Sequence, residues 1–308
     1  YVIKLKTLSE ISNGKSTAKK QSFLKQITKK LKQLIKKALK YPKQLCERTL
    51  TRIMGFFRCR NILLSENSRL LASYRNKYEG QRCFLIGNGP SLKSEDLDRL
   101  KEEITFGCNL VHKIYSQTSW RPTFYCISDS TIPRTNSFDL AQNFEGSTLM
   151  IREFAYRYLK VSIPAICLPY ISVDWYKVKG NVLAYHYISH ATVMSMMMEL
   201  AFYMGFKEIY LIGVDGSSAS AKGNHFSDSY YSKEMKAYID KIKKRTMKNY
   251  NPAHQATRLQ KRSLDIYSQL KKFADSKGIK IYNATRGGTL EVFERVELDK
   301  LLENSKEQ

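Results

Sequence analysis

The alternation of apolar and polar positions changes rhythm along the 308 residues. Residues 23–40, FLKQITKKLKQLIKKALK, set Leu24, Ile27, Leu31, Leu34, Ile35, Ala38 and Leu39 at helical spacing with lysines filling the other face. That pattern predicts an amphipathic helix, ended by Pro42. From Arg48, RTLTRIMGFFRCRNILL continues with apolar and basic residues interleaved. From Tyr78 onward, short apolar runs alternate with helix-like stretches. RCFLIG, ITFGCN (104–109), TFYCISD (123–129), EIYLIGVD (208–215) and IKIYNAT (279–285) read as buried strands. STLMIRE, AICLPY and NVLAYHY carry the same pattern more weakly. Helices are expected at SEDLDRLKEE (94–103), at the methionine-rich residues 190–206 and at residues 258–278. The methionine-rich segment is apolar almost all round, so Met194, Met196, Met197, Met198 and Met204 are assigned to the core.

Strands alternating with helices predict an α/β fold, a Rossmann-like and mostly parallel sheet. The expected organisation is a basic helical arm over 1–75, a catalytic body over 76–300 and a tail over 301–308. Several of the expected strands end in small or polar residues: Asn88, Asn109, Asp129, Asp215 and the Asn283-Ala284-Thr285 run. Ligands of open parallel sheets bind beyond these carboxyl ends. The first such end is the turn Gly87-Asn88-Gly89-Pro90-Ser91, whose glycines would let backbone N–H groups approach a phosphate. It is neither a Walker loop nor the dinucleotide fingerprint, since both require a different spacing.

Charge sharpens the division between arm and body. Residues 1–80 hold 20 Lys and Arg against four acids, about +16 of the net +24. A lysine-rich amphipathic helix followed by Met54, Phe56 and Phe57 suits an anionic membrane surface, with the protein peripheral on its cytoplasmic face. Packing of the apolar stripe on the body is the plainer alternative. Nucleic acid would attract the same charges, but no recognisable nucleic-acid module accompanies them, so none is expected as a partner. No run reaches the 18–20 apolar residues of a membrane span. The six cysteines lack ligand-like spacing, which speaks for a reducing compartment and against a structural zinc site.

CFLIGNGPSL, ITFGCN, RPTFYCISD, LAFYMGFKEIYLIGVD, GNHF and IYNATRGGTLEVF occur in that order over about residues 75–297. Together they resemble bacterial proteins described as 6-hydroxymethylpterin diphosphokinase-like, found among surface-polysaccharide functions. More distantly, the G-N-G-P-S turn, the later C-N and the segment GFKEIYLIGVD resemble bacterial lipooligosaccharide sialyltransferases. That likeness implies a GT-A-like Rossmann variant that takes a CMP-sugar donor without a metal and passes the sugar to a glycan or glycolipid acceptor. On matching positions, Gly87, Asn88, Gly89, Pro90 and Ser91 would face ribose and phosphate, and Asn109 would help hold the donor. Thr192, in SHAT, stands near a Thr-Ser-Gly element of those enzymes, and Asp215 would lie near the base or ribose. Asp129 closes another strand of the same edge. The triplet Asp96–Asp98 is read as a solvated helix start, not as a metal-binding D-x-D.

Sugar transfer also needs a base for the acceptor hydroxyl, and imidazole suits that near neutral pH. His112 and His186 fall in helix-like and strand-like segments and are assigned to structure. His254 and His225 are expected in loops beyond the strand ends. The resemblance favours His254 by its place before the last helix, and His225 by the NHF block; His254 is the first choice as base. Tyr230 and Tyr231 are candidates for the departing phosphate. The rival reading is a diphosphokinase using ATP and Mg²⁺, for which Asp129, Asp215 and Asp228 are the available carboxylates. A non-catalytic nucleotide- or glycan-binding protein is the third.

Overall fold

The computed structural model describes residues 62–144, 146–168, 192–216, 225–227, 229–246 and 252–303, with a few positions between 28 and 57; side chains of 243–246 and 252–259 are not described. The chain divides into two compact units, Tyr1–Arg69 and Leu70–Gln308. The second unit is built on β1 (Arg82–Ile86), β2 (Thr105–Cys108), β3 (Phe124–Ile127), β4 (Thr148–Arg152), β5 (Ile166–Leu168), β6 (Glu208–Ile212), β7 (Lys280–Asn283) and β8 (Glu294–Arg295). These eight strands form one sheet in the order β5-β4-β3-β2-β1-β6-β7-β8. Every pairing in it is parallel. The Rossmann-like expectation therefore holds.

The strands are apolar nearly throughout because both faces of the sheet are covered. Cys83 and Leu85 of β1 turn into one cluster with Phe106, Phe124, Met150, Ile209 and Leu211. Phe84 and Ile86 turn into the other with Tyr125, Ile127, Leu149, Ile151 and Ile212. This is the period-two alternation of a strand. The helices, in chain order, are α1 (Glu66–Ser73), α2 (Ser94–Asp98), α3 (Thr131–Asn143), α4 (Glu153–Tyr156), α5 (Val193–Met204), α6 (Lys233–Thr246), α7 (Pro252–Ser276) and α8 (Leu298–Glu303). The first cluster is closed by the methionines of α5 and by Tyr267, Leu270 and Ala274 of α7. The second takes Leu97 of α2, Met235 of α6, and Leu298 and Leu302 of α8. The methionines are core, as their periodicity requires. Helix α8 carries the packed chain to Glu303, past the expected end of the body at 300.

Two expectations change. The 94–103 helix is only the five residues of α2, and its Asp96 is not solvated. Asp96 is buried and takes two hydrogen bonds of 2.8 Å from Arg286, which also reaches Asp299. The carboxylates of this cluster hold the Arg286 guanidinium well above its usual range, and Arg286 and Arg99 hold Asp299 well below the usual carboxylate range. The triplet thus ties α2 to the β7 end and to α8. The candidate strand NVLAYHY and His186 lie outside the described residues. Cys83, Cys108 and Cys126 are buried free thiols and Cys167 is half-buried. Burial pushes Cys108 up to about 12, so it packs as a small apolar group.

Candidate active site

Strand β1 lies between β2 and β6, so the chain fills one half of the sheet through β5 and then crosses to the other side of β1. That reversal leaves a crevice beyond the carboxyl ends of β1, β2 and β6. A cavity of about 490 Å³ occupies it. Its wall combines Gly87–Pro90 after β1, Cys108 and Asn109 at β2, 213–216 after β6, and Thr192–Met194 at the start of α5. Gln260, Ser263, Leu264 and Tyr267 of α7, Leu290, and the loop residues His225, Tyr230 and Tyr231 complete it.

The glycine turn is where expected, but for a different physical reason. A Cβ on Gly87 would strike the Gly213 carbonyl, and one on Gly89 would strike the Asp215 carboxylate and lie 2.7 Å from Gly213 O. The glycines let the turns after β1 and β6 pack backbone to backbone. Their N–H groups are spent there as well, Gly87 on Ile212 O at 2.7 Å and Gly89 on Gly213 O at 2.9 Å. Those two N–H groups are therefore already engaged within the protein. Ser91 also turns away: its hydroxyl donates to Asp215 Oδ2 at 2.9 Å, and it is not part of the cavity wall. The groups better placed for an anion belong to α5. As its first two residues, Val193 and Met194 have main-chain N–H groups without an intrahelical acceptor, and both line the cavity. Thr192 caps that helix by accepting from Ser195 N at 3.3 Å, and its hydroxyl meets Tyr267 OH at 3.0 Å.

Asn88 and Asn109 enter the wall as held amides. Asn88 Nδ2 donates to Cys108 O at 2.9 Å and to Tyr230 OH at 2.8 Å, which leaves its Oδ1 buried with no partner. Asn109 adopts a left-handed backbone, φ 53°, and its Oδ1 is likewise buried and unpartnered. Such orphans are costly in an empty protein. A ligand hydroxyl or amino group donating to them would remove the cost. Tyr230 is 3% exposed, and its oxygen also accepts from Leu110 N at 3.3 Å, so its main work is to brace Asn88. Tyr231 carries the more available hydroxyl. It lies 2.9 Å from His225 Nε2, and the His225 ring stacks on Tyr230 at 3.9 Å between centroids.

Burial pushes the His225 pKa down, opposed by the main chain of Asn88, and its Nδ1 is buried without a partner. Burial pushes Tyr231 up, and the negative charge of Asp129 adds to it. Asp129 itself is exposed, accepts from Thr131 N at 2.5 Å and is not among the residues lining the cavity. Asp215 is the cavity wall's only carboxylate among the described residues. His254, expected in a loop, falls in the first turn of α7, and its side chain is not described. Asp228 lies outside the described residues. The α7 contribution was not foreseen from the sequence. Gln260, Ser263 or Leu264, and Tyr267 recur at helical spacing, which marked one face but not its neighbour.

Among the described residues no group of three or more His, Cys, Asp and Glu side chains could hold a metal ion. No helix of the described residues is long and apolar enough to cross a membrane.

Residues 60–219, just over half of the chain, match the family model described as 6-hydroxymethylpterin diphosphokinase MptE-like. The chain is similar in structure to the MAf glycosyltransferase of Magnetospirillum magneticum AMB-1, at 16% identity and a TM-score of 0.45 over 82% of this chain. It spans only 42% of the length of that protein. The Campylobacter jejuni sialyltransferase CstII in complex with CMP-3FNeuAc is similar over 70% of this chain and 86% of its own, at 19% identity and a TM-score of 0.42. No curated protein matches the chain.

Proposed function

The chain belongs to the 6-hydroxymethylpterin diphosphokinase MptE-like family, and from that premise we propose that its switch-point cavity transfers a sugar from a nucleotide donor, CMP-activated, to a glycan or glycolipid acceptor. The observation that carries this reading is the His225–Tyr231 pair, 2.9 Å apart in a cavity whose wall contributes amides, hydroxyls and one carboxylate. The acceptor hydroxyl oxygen attacks the anomeric carbon as the bond from that carbon to the phosphate oxygen breaks. The proton released passes to Tyr231 oxygen as Tyr231 gives its own to His225 Nε2. Burial favours the neutral imidazole, which is the form able to take that proton. The departing nucleoside monophosphate is met by the N–H groups that open α5 and by the positive end of that helix. Asn88 Oδ1 and Asn109 Oδ1 accept from the ribose or base.

The family's name also implies a nucleoside triphosphate with a divalent cation. The described donor set does not fit one: Asp215 is the wall's single carboxylate, and one of its oxygens already carries Ser91. We therefore derive no step through a metal. The test is transfer or hydrolysis of a CMP-sugar measured in EDTA and again with Mg²⁺. Equal rates are expected. CMP-sugar turnover restored only by Mg²⁺ would overturn the metal-free step in favour of a metal-dependent transferase, and a diphosphate moved from ATP to a pterin alcohol would overturn the proposal in favour of the kinase.

The arm is proposed to bring this site to an anionic membrane surface, on the strength of the segregated lysines and apolar stripe of residues 23–40. Deleting residues 1–69 should abolish co-sedimentation with phosphatidylglycerol vesicles and leave turnover of soluble acceptors intact. Undiminished vesicle binding by the deletion variant would contradict that role.

A further inference from the structure

Behind the cavity wall a chain of polar contacts runs from the surface of α3 to the main chain of Asn109. Asp139 Oδ2 lies 2.9 Å from His112 Nε2 and 2.6 Å from Lys113 Nζ. His112 Nδ1 lies 2.6 Å from the Tyr125 hydroxyl, which donates to Asn109 O at 2.5 Å. His112 is 5% exposed and Tyr125 fully buried. A carbonyl oxygen only accepts, so the single Tyr125 proton points at Asn109. His112 Nδ1 must then be the donor to Tyr125. Asp139, drawn below the usual carboxylate range by Lys113 and His112 against the effect of its own burial, is ionised and only accepts, so Nε2 must carry a proton too.

All three contacts are satisfied together only when His112 is the imidazolium. A neutral ring sets one lone pair against a partner. It either faces the Asp139 carboxylate or takes the Tyr125 proton and leaves two oxygens 2.5 Å apart with no hydrogen between them.

We infer that His112 and Tyr125 form a proton-dependent brace for Asn109: the charged ring commits the Tyr125 hydroxyl to the Asn109 carbonyl, and loss of the ring proton releases it. Asn109 is the residue to restrain, because it lines the cavity in a left-handed backbone conformation and presents one of the two orphaned amide oxygens. His112 is thus a positioning residue. It is not among the residues lining the cavity and acts on Asn109 through Tyr125. The groups facing the ring are Asp139 from α3, Tyr125 from β3, and Lys113 and Tyr115 from its own segment. Burial lowers the imidazole pKa and Asp139 opposes it, so release falls on the acid side of the ordinary histidine value. The consequence for ligand affinity rests on the nucleotide reading of the cavity; the brace itself does not.

The experiment follows imidazole and Asn109 amide ¹⁵N resonances of the full chain, without ligand, from pH 5 to 7.5. A His225→Gln background silences the other imidazole at the cavity. Asn109 should shift with the same midpoint as His112. In Tyr125→Phe, which keeps the ring and the packing, His112 should still titrate while Asn109 loses that step. In His112→Gln the step should vanish as well. A His112 ring that stays neutral throughout this range, or an Asn109 step that survives in Tyr125→Phe, would overturn the inference. CMP affinity is then compared at pH 5.5 with His225 intact. Tyr125→Phe should bind about three- to tenfold more weakly than wild type, the worth of one hydrogen bond. Wild type that fails to bind CMP at all would sink the nucleotide reading and leave the resonance result to decide the brace.

Discussion

His112 is a buried imidazole and His225 a half-buried one, each with a tyrosine hydroxyl at one ring nitrogen, and their second nitrogens meet opposite circumstances. That of His112 is closed off by Asp139, whereas His225 Nδ1 is buried with no partner in the cavity wall. The same contrast separates the two regions around them. Near His112, Asp139, Lys113, Tyr125 and the ring itself pair with one another, and one hydroxyl beside them, that of Tyr115, is left buried without a partner. Around the cavity, Asn88, Asn109 and His225 each keep one buried polar atom unmatched. Folding ordinarily removes such atoms, so a cluster of them in one crevice marks where a ligand completes the structure. A titratable side chain alone does not mark a site. Three unmatched atoms converging on one cavity do.

The largest effect that sharpens this contrast is on turnover. Removing a general base costs about 10²–10⁴-fold in rate, so His225→Gln should lose that much kcat while CMP affinity and melting temperature stay near wild type. In acid, where the charged ring engages the brace, His112→Gln should move affinity more than kcat. Equal kcat losses in the two variants would break the distinction between reacting and bracing imidazoles.

Stability is the next largest. Gly89→Val forces a side chain against Asp215 and the Gly213 carbonyl. Overpacking of this kind costs about 1–3 kcal/mol, occasionally more, and the urea midpoint should fall accordingly. An unchanged midpoint with CMP binding alone abolished would mean that the turn yields to the side chain and serves the ligand directly.

The smallest effect is the pH dependence of folding. Burial depresses both imidazole pKa values below their unfolded value. Each group therefore contributes stability that is complete above the unfolded histidine pKa and is lost as pH falls through the folded one. Melting temperature should decline on acidification below about pH 6.5. His225→Gln should flatten that decline. A steeper decline in the variant would contradict the burial argument.

Much of the sheet was legible because a parallel strand covered on both faces reads as an unbroken apolar run, and β1, β2, β3, β6 and β7 sit inside the segments so identified. The edge was legible too: Asn88, Asn109 and Asp215 all reach the cavity wall. What the sequence left open depends on distances between segments far apart in the chain. The Gly87–Gly213 and Gly89–Asp215 approaches join turns more than a hundred residues apart, so the glycines pointed to a ligand when their first constraint is each other. Asp96 looked solvated because its partner, Arg286, is 190 positions away. Ser91 ends up on Asp215, 124 positions away, and Asp129 on Thr131, two positions on, so both polar strand ends are satisfied without any ligand. Helices α3 and α6 were missed because Pro133 interrupts the first and lysines dominate the second. The preference between His254 and His225 rested on order along the chain. Among the described side chains it is His225 that reaches the cavity, and His254 stands in a helix.

The most direct test of the account is calorimetric titration of CMP into the full chain in EDTA. Saturable one-to-one binding is expected, unchanged when Mg²⁺ replaces EDTA. Binding of ATP alone, and only with Mg²⁺, would contradict it.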